Sequence, residues 1–293
     1  MARKEFWQVD AFTAERFCGN PLAVVFDAGD LPGATMQRIA KEMNLSETVF
    51  VLPPEDAAAD YRVRIFTPRS ELPFAGHPTL GTAHAMAQRG LQPKDRSGRV
   101  IRQQCGIGLV PIKIRDSADG RHFVMTQAVP KHRAVPVDAE LAARMLGSRP
   151  TDVVGPVEVV STGVDWMIVP LAGLEVISGL DPDLRLIEQV CRQHAAAGIT
   201  SFCPGATTPG CAIRLRTFAP GDGIMEDPVC GSGNGSTAAY IARHLRSGEP
   251  SFAYQAEQGI EIGRPGRVIA EVEGSQVRIG GQAMTVIEGW VAA

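Results

Sequence analysis

Two short stretches of this chain carry residue types and spacings that could do chemistry. EDPVCGSGNGSTAAYIA at 226–242 sets two acids, a proline, a cysteine and three glycines around the start of a run that reads as a helix. ELPFAGHPTLGTAHAMA at 71–87 sets an acid, prolines, a glycine and a histidine in the same relation to its own. The first four N–H groups of a helix lack internal partners and the macrodipole adds positive potential there, so a glycine-rich start is a natural place for an anion. Pro78 is tolerated in a first turn, which puts the first helix start near Gly76 and His77. Two such starts facing each other would form a cleft able to take a carboxylate.

The two stretches resemble each other. Glu71 and Glu226 lie 155 residues apart, and the same offset superposes Pro73 on Pro228, Gly76 on Gly231, Thr82 on Thr237 and Ala83 on Ala238. An offset near half the chain length reads as an internal duplication, hence two domains of similar fold, against the alternative that two Gly- and Ala-rich helix starts match by chance. Under the repeat Ser232 falls on His77 and Cys230 on Ala75. Inverting a carbon by the two-base route needs a base on each face, and two thiols acidified by helix dipoles would serve. With alanine in one copy, two-thiol inversion is excluded. Blander readings remain for each residue: Cys230 as a small filler at a strand-to-helix junction, His77 as a cap, Asp227 as an acid complementing the dipole. His84, seven residues beyond His77 on the same helix, reads as a core histidine.

The elements that must position these residues are mostly strands. FWQVDAF, PLAVVFD, ETVFVLP, YRVRIFTP, CGIGLVPIKIRD, HFVMTQAVP, VEVVSTGVDWMIVPL, AIRLRTFAP and GRVIAEVEGSQVRIGG are rich in Val, Ile and Phe and punctuated by Gly, Pro and Asp. Amphipathic spacing predicts surface helices over 34–43, 138–147 and 183–195. The segments 76–88 and 231–242 contain no Asp, Glu, Lys or Arg. A helix without a charged face is buried all round, and in a strand-rich chain the economical way to bury two is to wrap a strand barrel around each.

Composition narrows the function. The 293 residues, 44% of them hydrophobic, are those of a globular chain, and 29 basic against 32 acidic residues form no runs. No nucleic-acid or membrane partner is expected, and the ligand is a small molecule. Neither a signal peptide nor about 18 consecutive apolar residues is present, and the six cysteines are scattered without a C-x-x-C pair. A soluble, cytoplasmic protein with reduced thiols is expected. GSGNGS is not a G-x-G-x-x-G opening a βαβ unit, no P-loop occurs, and His77 and His84 with one carboxylate fall a ligand short of a metal site. No cofactor and no metal are expected.

CGNPLAVVFD (18–27), NLSETVFVL (44–52), ELPFAGHPTLGTAHA (71–85), STGVDWMIVPL (161–171) and EDPVCGSGNG (226–235) together resemble the signature blocks of the phenazine-biosynthesis PhzF family, in that family's order and across nearly the whole chain. The resemblance implies an α+β, diaminopimelate epimerase-like fold of two similar domains, each a strand barrel around a central helix, with the active site between them. The domains are expected at 1–126, completed by a C-terminal strand 284–293, and at 127–283. In related epimerases and racemases both helix starts carry a catalytic cysteine; CGSG at 230–233 against AGHP at 75–78 marks Cys230 as the relic of a two-base ancestor.

The resemblance also places a proton-carrying glutamate on Glu47, which by itself reads as a solvated acid opening a strand. One carboxyl group can move a proton between two carbons on one face of a substrate, acting as base and then as acid. His77 and Asp227 match residues the family sets around its substrate, and Asn20, Ser46, Gly76, Gly231, Ser232 and Gly233 match binding positions. The implied activity is that of a cofactor-independent isomerase, a homodimer, acting on a small carboxylated substrate. The alternatives are an amino-acid-type epimerase using Cys230 opposite Glu47, and a non-catalytic binding protein of the same fold.

Overall fold

The order of strands and helices follows one plan twice. The computed structural model describes residues 3–293, and the chain divides into a first unit, Met1–Met125 with Gly280–Ala293, and a second, Thr126–Ile279. In the first unit β1 (Arg3–Ala11) pairs antiparallel with β2 (Asn20–Val25) and with the last strand, β18 (Ala283–Ala292). Helix α1 (Gly33–Met43) crosses over to β3 (Glu47–Leu52), parallel to β2; β3 pairs antiparallel with β4 (Tyr61–Phe66), and β4 with the two-residue β5 (Glu71–Leu72). Helix α2 (Gly76–Gln88) leads to β6 (Val100–Cys105), parallel to β4, and β7 (Gly108–Ser117) and β8 (Gly120–Thr126) continue antiparallel.

In the second unit β9 (Lys131–Ala134), β10 (Glu158–Ser161) and β11 (Asp165–Pro170) are antiparallel, with α3 (Ala139–Leu146) between the first two. Helices α4 (Leu174–Ser178) and α5 (Leu184–Gln193) cross over to β12 (Gly198–Pro204), parallel to β11. Strand β13 (Ile213–Ala219) pairs antiparallel with β12 and with the short β14 (Ile224–Asp227). Helix α6 (Gly231–His244) then leads to β15 (Ser251–Gln258), parallel to β13, followed by β16 (Gly266–Glu273) and β17 (Gln276–Gly281).

The two charge-free segments are the two central helices. Helix α2 buries every residue from His77 to Ala83 and touches β1, β2, β3, β6 and β18, so strands surround it. Helix α6 buries Gly231 and all residues from Gly233 to Ile241 against β10, β11, β12 and β16. The remaining long helices are amphipathic: α1 buries Met36, Ile39 and Ala40 against Val25, Phe50, Leu52 and Phe66.

The differences from the sequence reading have local causes. The helix expected over 138–147 spans 139–146 because Asp138 is its N-cap, accepting from the Leu141 N–H, and Gly147 its left-handed C-cap. The helix expected to reach 195 stops at Gln193, and Ala195 sits at φ 47. VEVVSTGVDWMIVPL is a hairpin of β10 and β11 rather than one run, and β15 lies in a stretch not assigned to a strand. Among the described residues no helix is long and apolar enough to cross a membrane.

The duplication reaches into the side chains that tie each loop to its sheet. On β4, Arg64 donates Nε and Nη2 to the two oxygens of Glu71, both at 2.7 Å; on β13, Arg216 grips Glu226 the same way at 2.8 and 2.7 Å. Each guanidinium also lies 5.1 Å from the ring of the phenylalanine two residues on, Phe66 or Phe218. Bidentate Arg–carboxylate pairs hold geometry as well as energy, so both helix-entry segments are anchored at the glutamate five residues before the helix starts.

Candidate functional site

In the first unit the chemistry-bearing residues collect where α1 ends and α2 begins. Helix α1 closes on Asn44 in the left-handed conformation, its N–H on the Ala40 carbonyl, and the chain enters β3 with Glu47 beside Leu22 of β2. Gly19 precedes β2 at φ +61, where a Cβ would stand 2.2 Å from the Ala11 carbonyl oxygen, so only glycine turns the chain there. The next residue, Asn20, is fully buried, and the Ser46 hydroxyl donates to its Oδ1 at 3.3 Å. The first turn of α2 then brings the His77 Nε2 to 3.1 Å from the Glu47 Oε2. His77 and Glu47 are 6% and 8% exposed.

The proton positions around His77 follow from its partners. Its ring hydrogen-bonds the Pro21 carbonyl, and because Nε2 makes no aligned hydrogen bond, the donor is Nδ1. Burial pushes the imidazole down to about 3, outweighing the Pro21 hydrogen bond that acts the other way. The ring is therefore neutral at physiological pH, and its Nε2, though 3.1 Å from the Glu47 Oε2, makes no aligned hydrogen bond. Glu47, His77, Asn20 and Ser46 thus form one cluster, with Gly76 opening the helix beside it. His84, further along α2, is partly buried and lies 3.3 Å from the Thr285 hydroxyl; burial pushes it down to about 4.

In the second unit the corresponding helix start holds a different set. Cys230 is the N-cap of α6, its Sγ accepting from the Gly233 N–H at 3.3 Å and lying 3.6 Å from the Ser232 hydroxyl. A Cβ on Gly233 would stand 2.8 Å from Thr200 Oγ1 and 3.2 Å from that sulfur, so the close turn requires glycine. Burial first, then the charge of Asp227, push the Cys230 thiol well above its ordinary range. In this position the sulfur caps the helix. The indole of Trp166 donates Nε1 to the Ser232 hydroxyl at 2.9 Å. Asp227 ends β14, and Gly231 opens the helix.

Each sequence-predicted residue therefore lies at one of the two helix starts, Asn20, Ser46, Glu47, Gly76 and His77 in the first unit and Asp227, Gly231, Ser232 and Gly233 in the second. Sequence reasoning missed Pro21 as the partner of His77, Trp166 as the partner of Ser232, and a buried glutamine, Gln258, against the second helix start. Pro21 and Trp166 lie inside stretches already singled out, and Gln258 could have been found by carrying the 155-residue offset on to Gln103.

Comparison with known proteins agrees across the chain. The sequence profile of the phenazine biosynthesis-like (PhzC–PhzF) family matches residues 9–289. A trans-2,3-dihydro-3-hydroxyanthranilate isomerase of Pseudomonas fluorescens is 39% identical over 290 residues, 97% of either chain. A crystal structure of a Bacillus anthracis phenazine biosynthesis protein of the PhzF family superposes with a TM-score of 0.92 at 30% identity, covering both chains completely. A hydroxyproline epimerase of Agrobacterium vitis shares the fold, with a TM-score of 0.67 at 15% identity over 99% of this chain and 91% of that one.

Proposed function

The chain belongs to the PhzC–PhzF family of phenazine biosynthesis-like proteins and is an isomerase, and from that premise we propose that it moves a proton on a small carboxylated substrate with Glu47 as the single acid/base. The observation that carries this reading is the buried approach of the Glu47 Oε2 to the bare Nε2 of a neutral His77. A neutral imidazole this close to a buried carboxyl group leaves proton transfer to Glu47 rather than to His77. His77 does not take the proton, because its Nδ1–H is committed to Pro21 and burial disfavours the imidazolium.

The neutral ring leaves Glu47 as the group of the pair able to carry the proton between the two halves of the reaction. The Glu47 carboxylate takes a proton from one substrate carbon, holds it, and delivers it to a second carbon on the same face as the double bond shifts. No atom is gained or lost, and the step needs no cofactor. Asn20, Ser46 and the N–H groups at Gly76 bind the substrate's polar groups, as do Asp227, Gly231, Ser232 and Gly233. The un-ionised thiol of Cys230 weighs against a cysteine-dependent epimerisation.

The substrate class follows from the relatives named as trans-2,3-dihydro-3-hydroxyanthranilate isomerases, whose substrate is by its name an unsaturated hydroxy acid. The test is incubation in deuterated water with that compound and a panel of unsaturated amino and hydroxy acids, read by NMR. Isomerisation of at least one panel member, with any solvent deuterium confined to the reacting carbons, is expected. If every member of the panel is returned unisomerised and unlabelled, the reading fails.

A further inference from the structure

Two buried glutamines, Gln103 on β6 and Gln258 on β15, stand 155 residues apart, the offset that superposes the helix starts, and neither has a part in the chemistry above. Each lies on the strand that follows a central helix and reaches back to that helix's first turn. In the first unit Gln103 Nε2 donates to Thr79 Oγ1 at 2.9 Å, and that hydroxyl donates to the Ala75 carbonyl at 2.8 Å. The Tyr61 hydroxyl donates to Gln103 Oε1 at 3.3 Å. In the second unit Gln258 Oε1 accepts from Asn234 Nδ2 at 2.9 Å and from the Cys230 N–H at 3.1 Å, while its Nε2 donates to the Asp227 carbonyl at 2.9 Å. Asn234 Nδ2 also donates to the Cys230 carbonyl at 2.9 Å.

Thr79 and Asn234 are again 155 residues apart, as are Ala75 and Cys230. The chain glutamine, then side chain four residues into the helix, then carbonyl of the N-cap residue therefore recurs, with the first link reversed: Gln103 donates to Thr79, whereas Gln258 accepts from Asn234. Over the same windows the two copies have diverged at the positions able to react, with alanine against cysteine and histidine against serine. What the copies share is the means of holding a helix start, and what they differ in is what the helix start presents. Hydrogen-bonded buried amides restrain the turns they hold, and small displacements of reacting groups are expensive in rate.

We infer that Gln103 with Thr79, and Gln258 with Asn234, are positioning residues that hold the first turns of α2 and α6, and with them His77 and the Asp227–Gly233 segment, in the geometry the isomerisation uses. The inference rests on the proposed function for its catalytic half and on the hydrogen bonds alone for its structural half.

The repeat itself supplies the test. Asn234→Thr gives the second unit the residue the first unit uses, whereas Asn234→Val has the same shape without the hydroxyl; Thr79→Ser and Thr79→Val form the matching pair. Amide hydrogen exchange over 226–235 for position 234, and over 75–80 for position 79, reports the clamp without turnover. Exchange is expected to rise at least about tenfold in each Val variant, which removes two side-chain hydrogen bonds, and to rise clearly less in the Thr and Ser variants, which keep a hydroxyl donor. With trans-2,3-dihydro-3-hydroxyanthranilate as probe, kcat falls about tenfold in the Val variants with KM changed less than about twofold, and recovers in the Thr and Ser variants. Equal exchange in the Val and conservative variants overturns the inference, and so does altered exchange with unaltered kcat. If the wild-type protein does not turn the probe over, the proposed function fails for that substrate while the exchange data still decide the clamp.

Discussion

Replacing His77 by asparagine should flatten the acid limb of the protein's stability. The asparagine amide can still donate to the Pro21 carbonyl but has no group that titrates. In the wild type the imidazole, ordinarily near 6.5, is pushed by burial down to about 3. Between those values the unfolded chain binds a proton that the folded chain refuses, so the unfolded state holds more protons and stability falls as pH falls. The contribution is fully present above about pH 6.5 and is lost at up to about 1.4 kcal/mol per pH unit below it, roughly 3 kcal/mol by pH 4. That is a substantial part of the roughly 5–15 kcal/mol that holds a typical domain together. His84, pushed down to about 4, acts with the same sign and is present in both proteins, so it cancels in the comparison. Urea unfolding followed by tryptophan fluorescence at pH 7, 6, 5 and 4 measures the difference. Wild type should lose stability more steeply than His77→Asn across this range, the two curves diverging below pH 6. Parallel curves would mean that His77 is not held neutral, and the proton assignment at Glu47 would go with it.

Cys230→Ser should keep activity to within about threefold, because serine is a good N-cap for the Gly233 N–H and the thiol carries no proton in the reaction; a folded but inactive serine variant, checked by steady-state assay and circular dichroism, would return the cysteine to the chemistry. Arg214→Met should cost about 3–5 kcal/mol in chemical denaturation, since it strips the cation from Glu257, which is completely buried, and adding Glu257→Gln should recover much of that loss.

How much of this was legible in the sequence differs from residue to residue. The two central helices were readable because the absence of charge over 76–88 and 231–242 is a local property. The hairpins were harder: VEVVSTGVDWMIVPL was read as one run although Ser161, Thr162, Gly163 and Asp165 mark its turn, with Gly163 at φ 122 and Ser161 paired to Asp165. Glu47 was identified only through the family resemblance. Its burial depends on His77, 30 residues away in sequence, and on Pro21, so nothing in its immediate neighbours separates it from a solvated strand-start acid. Ala75 set Cys230 apart from a two-thiol pair, whereas the burial that, ahead of the charge of Asp227, pushes its thiol up was not readable. Gln103 and Gln258 were overlooked because a lone glutamine carries no local signal. The matching arginines Arg64 and Arg216 were hidden because they stand 152 residues apart, the second unit having three more residues between the arginine and its helix.

The central claim is that one carboxyl group carries the proton, and Glu47→Gln tests it most directly. The amide matches the carboxyl in shape and can donate to the bare Nε2 of His77, so the variant should fold with near-normal stability and bind substrate. The measurement is the rate of proton transfer to and from the substrate carbons, set beside the thermal midpoint and the substrate affinity of the same preparation. General acid–base catalysis contributes about 10²- to 10⁴-fold, so a loss at least that large with folding and binding intact is the predicted result. A Glu47→Gln protein that isomerises its substrate at close to the wild-type rate would contradict the account.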